Sequence, residues 1–152
     1  MFPYIKYGVE LYGTCNDSLM KKLQTEQNKL LKILYAKGMR YSTNLLYTEL
    51  KLLKCLDVHK LFVGVFVYKQ QNRSLPKIFD NYYRQNSDIC ARSTRQSNEL
   101  YTPLFRTKMG QKSLKYIGAK IWNSVNEITR KCVSLTSFKK EYTSKLISFY
   151  VN

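Results

Sequence analysis

A chain of 152 residues with 44% hydrophobic and 24% charged side chains has the apolar content of an ordinary folded domain, which excludes wholesale disorder and any need for disulfide or metal staples. Its 26 Lys and Arg against 10 Asp and Glu leave a formal charge of +16, an excess that opposes compaction and attracts polyanions, so nucleic acid or an anionic surface is the default partner class. The longest apolar run, Leu61 to Tyr68, is far below the ~20 residues of a membrane span, and Lys6 and Glu10 stand where a signal peptide would be apolar.

Pro3 to Gly13 opens as a short helix or turn carrying Tyr4, Tyr7, Leu11 and Tyr12. Asn16-Asp17-Ser18 is an N-cap cluster, and Leu19, Leu23, Leu30 and Leu34, with Met20, Gln27 and Leu31, repeat at helical spacing up to a stop at Gly38. The outer face of that helix carries Lys21, Lys22, Lys29, Lys32 and Lys37. Thr43 caps a shorter helix through Leu45, Leu46, Leu50 and Leu53, and Asp57 caps a strongly apolar one through Tyr68. Apolar side chains on most sides of the latter predict a central helix.

Asn72 to Pro76 reads as a turn and Lys77 to Tyr83 as a short helical turn. Between Arg84 and Asn98 apolar content collapses, predicting a loop and hinge that holds Arg92-Ser93-Thr94-Arg95. Leu100 to Arg106 and Lys112 to Ile117 read as two short strands about Gly110. The second strand is predicted to turn at Gly118, where a left-handed or bulged backbone suits glycine, into a helical turn anchored by Trp122, the single tryptophan. Ser134 caps a last helix with Leu135, Phe138, Tyr142, Leu146 and Phe149 on its apolar face and Lys139, Lys140 and Lys145 on its basic one. The expected fold is mainly α: a helical bundle with a small β-hairpin in the second half. Residues 1–83 are expected to form a helical part and 84–152 a basic part with the hairpin, the Trp turn and the terminal helix, the two making one compact unit, with net charges of +7 (13 cations, 6 acids) and +9 (13 cations, 4 acids).

Catalysis finds little to work with. Asp17, Asp57, Asp80 and Asp88 are not paired in sequence, two of them sit where helices should begin, and no Gly-rich phosphate loop, HExxH or Gly-x-Ser-x-Gly elbow occurs. Cys15, Cys55, Cys90 and Cys132 form no close pair, and His59, the single histidine, is expected at a surface or helix-start position, so neither a metal site nor a cofactor is expected. Isolated thiols suit a reducing, intracellular setting, nuclear or cytoplasmic. Arg106, Lys108, Lys112, Lys115 and Lys120 lie in a stretch with no acid between Glu99 and Glu127, and together with Arg92 and Arg95 of the preceding loop they are the candidate contacts to a nucleic-acid backbone. The 13 tyrosines interleaved with cations suit stacking on unpaired bases, although amphipathic core-edge positions account for most of them.

Several short motifs occur in a telling order: Tyr7-Gly8-x-x-x-Tyr12-Gly13, the Leu19, Leu23, Gln27, Leu31 helix, Ser93-Thr94-Arg95, Gly118-x-x-x-Trp122-Asn123-Ser124-Val125, and Ser134-Leu135-x-x-Phe138-Lys139-Lys140. Over nearly the whole chain this resembles the region after the polymerase core in reverse transcriptases of non-LTR (LINE-like, jockey-type) retrotransposons. The family usually has Trp where Tyr12 stands and often has Pro at the place of Asn126. The resemblance implies a parent that copies element RNA into DNA at a nicked chromosomal target, with this region acting as thumb and C-terminal domain along template and primer. An aromatic-x-Asp-Asp polymerase signature is absent from the chain. The resemblance therefore implies a non-catalytic fragment, binding RNA or DNA by its backbone with little base specificity, and its abrupt start fits a piece of a longer reading frame. The alternative from another class is an inert relic or a protein–protein scaffold.

Overall fold

The computed structural model describes residues 7–90 and 95–150 and is mainly α. Its helices are α1 (Val9–Tyr12), α2 (Asp17–Leu34), α3 (Thr43–Glu49), α4 (Cys55–Gln71), α5 (Lys108–Gln111), α6 (Leu114–Ser124), α7 (Glu127–Arg130) and α8 (Leu135–Ser148), with 3-10 turns at Lys77–Phe79 and Asn86–Asp88. Contacts divide the chain into two compact units, Met1–Leu61 with Lys139–Asn152, and Phe62–Phe138. No helix among the described residues is long and apolar enough to cross a membrane.

In the first unit Leu31, Leu46, Tyr47 and Tyr150 form the core, with Tyr41, Leu50, Leu52 and Ile147 packed against it. The buried line of α2 is Met20, Gln27 and Leu31. Gln27 is buried because its amide is used twice: Nε2 donates to the Leu53 carbonyl at 3.1 Å and Oε1 accepts the Cys55 N–H at 3.1 Å. Gln24 Oε1 accepts the same N–H at 2.9 Å. Two glutamines of α2 thus satisfy the first amide of α4, a group that has no partner within its own helix. Leu19, Leu30 and Leu34, expected in the core, are 55%, 45% and 69% exposed. Apolar spacing marked the right helix but ranked these leucines above the glutamine that the core holds by hydrogen bonds.

Helix ends also differ from expectation. Asn16 occupies the N-cap of α2 without a side-chain bond, and the helix stops before Gly38, with Ala36 at φ 49° and Lys37 N–H returning to the Lys32 carbonyl at 2.9 Å. Helix α4 begins at Cys55, so Asp57 lies inside its first turn. There Asp57 is buried and accepts from Lys60 Nζ at 2.8 Å and from the Tyr150 hydroxyl at 2.6 Å. His59 is buried, not at the surface. Gly13 lies under its ring: a β-carbon there would come within 2.2 Å of the imidazole. Gly8, at φ 66°, takes the left-handed conformation before α1.

The second unit holds its core with rings. Tyr68 stacks on Phe138 with centroids 4.6 Å apart, Trp122 lies 5.9 Å from Phe138, and Phe66 meets Phe79, Tyr82 and Tyr83 edge-on. The expected β-hairpin is absent. Residues 101–105 are irregular, Thr107 caps α5 by accepting the Gly110 N–H at 3.1 Å, and Ser113 caps α6 by accepting the Tyr116 N–H at 3.4 Å. The alternation of Leu114 and Tyr116 is overridden by a helix that buries Gly118, Ala119 and Trp122 along one side. Gly118 is no turn either; it sits mid-helix because a β-carbon would come within 1.9 Å of the Tyr83 hydroxyl, which itself donates to the Leu114 carbonyl at 2.8 Å. Among the described residues the sheet-like pairing is one isolated antiparallel bridge, Gln85 to Leu100. Ser134 does cap α8, accepting the Ser137 N–H at 3.1 Å.

Candidate nucleic-acid interface

The segment expected to be a loop is laced shut at its base. Asn86 N–H donates to the Glu99 carbonyl, Tyr101 N–H to the Arg84 carbonyl, Ser87 N–H to the Ser97 carbonyl, and Asn86 Nδ2 to the Gln96 carbonyl, all between 2.8 and 3.0 Å. Helix α6 then clamps the pair: Asn123 Oδ1 accepts the Leu100 N–H at 2.9 Å while its Nδ2 donates to the Leu100 carbonyl at 2.8 Å. The Trp122-Asn123 dipeptide therefore does two jobs, the indole packing inward and the amide fixing the distant segment at Leu100.

Leu100, which the clamp holds, and Trp122 line an open cleft of about 650 Å³. Three cations converge on it: Arg95, Arg130 and Lys131. Arg130 is held by the backbone, Nε donating to the Val125 carbonyl at 2.8 Å and Nη2 to the Asn123 carbonyl at 2.7 Å. Lys131 pairs with Glu127 at 2.6 Å across one helical turn, and this ammonium holds the exposed Glu127 carboxyl below the usual carboxylate range. Amides of Gln71, Asn72, Gln85 and Asn98 and the carboxylate of Glu99 complete the walls.

On the other side chains of the Gln85 to Leu100 bridge, Arg84 and Tyr101 line a smaller cavity of about 270 Å³ with Tyr82, Tyr83 and Lys115. Lys115 Nζ lies 5.8 Å from the Tyr82 ring centroid, and burial pushes the phenols of Tyr82 and Tyr83 upward.

The sequence-derived contacts do not gather into one groove. Arg95 lines the larger cleft and Lys115 the smaller cavity. Arg106 and Lys108 are exposed around the start of α5, and Lys112 is half-buried after it. Lys120 is exposed on α6, five residues and well over a quarter turn away from Lys115. Arg92 lies outside the described residues. Gly118 and Trp122 both occupy the interior of the second unit. Arg130 and Lys131 were missed; the signal for them was a dibasic step seven residues after Asn123. Ion pairs among the described residues engage Lys29, Lys60 and Lys131, and Arg95, Arg106, Lys108, Lys115 and Lys120 take no part in these three.

No protein-family model, curated protein or solved structure matches the chain.

Proposed function

We propose that this chain is a non-catalytic nucleic-acid-binding fragment of a non-LTR retrotransposon reverse transcriptase, an RNA-directed DNA polymerase, and that it grips template RNA or target DNA by the backbone. The observation that carries the reading is the convergence of Arg95, Arg130 and Lys131 on one cleft in a chain of charge +16. The cleft is walled by hydrogen-bonding amides beside an indole, which suits an unpaired strand better than a smooth protein face. Two of the four aspartates are committed to structure, Asp57 to Tyr150 and Lys60 and Asp88 to the Gln85 N–H at 3.0 Å, which fits a role without metal-dependent phosphoryl transfer. Free thiols at Cys15, Cys55, Cys90 and Cys132 suit a reducing intracellular setting.

The test is binding of a fluorescently labelled single-stranded RNA or DNA by the full chain, with primer extension run beside it. Binding that weakens steeply with salt, and no extension of the primer, are the expected results. Salt-independent affinity, or none at low salt, removes the reading.

One observation favours the other class, a protein–protein scaffold. Leu19, Leu30, Ile33 and Leu34 form an exposed apolar face on α2, with Ile33 74% exposed. A stable homo-oligomer in sedimentation together with no nucleic-acid binding would select that reading.

A further inference from the structure

We infer that the larger cleft of the second unit seats one unpaired nucleotide, its base lodged among the amides and beside the guanidinium of Arg130, its phosphate facing Arg95 and Lys131. This rests on the strand-binding reading and goes further, because a grip on phosphates alone requires no cavity and no acceptors.

Size is the first support. About 650 Å³ lies within the ~300–1,000 Å³ of small-molecule sites, so the cleft has room for a base with its sugar.

The wall chemistry is the second. Asn72 Nδ2 is turned to the Tyr68 carbonyl at 2.8 Å and Gln71 Nε2 to Gln70 Oε1 at 2.6 Å, so both residues keep their carbonyl oxygens as acceptors. Gln85 Oε1 accepts from the Ser87 hydroxyl at 3.4 Å, which leaves its NH₂ as a donor. A site built for an inorganic anion alone has no use for these acceptors, and the cleft also carries the carboxylates of Glu99 and Glu127. Donors and acceptors together match the edge of a nucleobase, which carries both.

Arg130 is the third. Two backbone carbonyls fix its guanidinium in place, so its remaining N–H groups and flat faces are presented without further ordering of the side chain. A held, planar guanidinium is a surface on which a splayed base can stack.

Trp122 supplies the readout. It is the single tryptophan and lines the cleft, so its emission reports occupancy. The full chain is titrated with a labelled 12-nucleotide RNA and with a fully abasic strand of equal length and charge, following label anisotropy and Trp122 emission together. The intact strand should bind about five- to tenfold more tightly than the abasic one, and it alone should change the emission. Asn98→Ala and Gln85→Ala should each narrow that ratio, and because both residues are exposed neither substitution removes a core contact. Equal affinities with no change in emission would overturn the nucleotide seat and leave backbone binding standing. Absence of binding to either strand would remove both.

Discussion

The side-chain amide of Asn123 pairs with both backbone groups of Leu100, at 2.9 and 2.8 Å, and so ties helix α6 to a residue that lines the cleft. Aspartate has nearly the same shape but accepts only. Asn123→Asp should therefore leave the Leu100 carbonyl without its donor and place a carboxylate at the Leu100 carbonyl, destabilising the fold by about 1–3 kcal/mol. Urea unfolding followed by Trp122 emission measures it, and a loss below about 0.5 kcal/mol would show that the clamp is dispensable.

Gly118 and Tyr83 form a second contact that a short double-mutant series can read. Gly118→Ala puts a methyl within 1.9 Å of the Tyr83 hydroxyl and should cost about 1–3 kcal/mol, despite the better helix propensity of alanine. Tyr83→Phe alone loses the bond to the Leu114 carbonyl, about 1 kcal/mol. Combined, the two should cost less than their sum, because removing the hydroxyl opens space for the methyl. Strict additivity in chemical denaturation would mean that the crowding is absent in solution.

Alkaline pH should unfold the first unit early. Burial pushes the Cys55 thiol up from 9.0 to about 11 and, with Asp57 nearby, the Tyr142 phenol from 10.0 to about 12; burial raises Tyr47 and Tyr150 further still. The folded state holds these protons more tightly than the unfolded chain, so their contribution is complete below about pH 9 and declines as pH rises through 9 to 12. Urea midpoints at about pH 7, 9 and 10.5 should fall in that order. Tyr150→Phe removes the donor to Asp57 and the acceptor of the Lys54 N–H at 3.1 Å, costing about 1–3 kcal/mol at neutral pH, and should flatten the alkaline decline.

Helical character was legible because apolar residues recur at three and four positions and Ser134 stands before the last helix. What spacing could not reveal was which partner each side chain finds. Gln27 is interior only because Leu53 and Cys55 meet its amide, and a glycine stands mid-helix at 118 because Tyr83 leaves no room for a β-carbon. Likewise a boundary drawn at residue 83 follows charge and composition, whereas the compact units follow contacts and divide within α4 and α8. Arg95 was visible as part of a basic cluster. Its companions Arg130 and Lys131 were not, since they join it through a cleft built by the pairing of Asn123 with Leu100, a long-range contact with no local sequence pattern.

The most direct test of strand binding at the cleft is the salt dependence of single-stranded RNA affinity for the full chain and for Arg95→Ala/Lys131→Ala. Engagement of about five phosphates gives a slope of log affinity against log salt near −3.5, and losing the two cations that face one phosphate in the cleft should reduce it by about 0.7 and weaken binding at every salt concentration. A slope and affinity unchanged by the double substitution would place the strand elsewhere on this basic chain, and would contradict the assignment of the cleft.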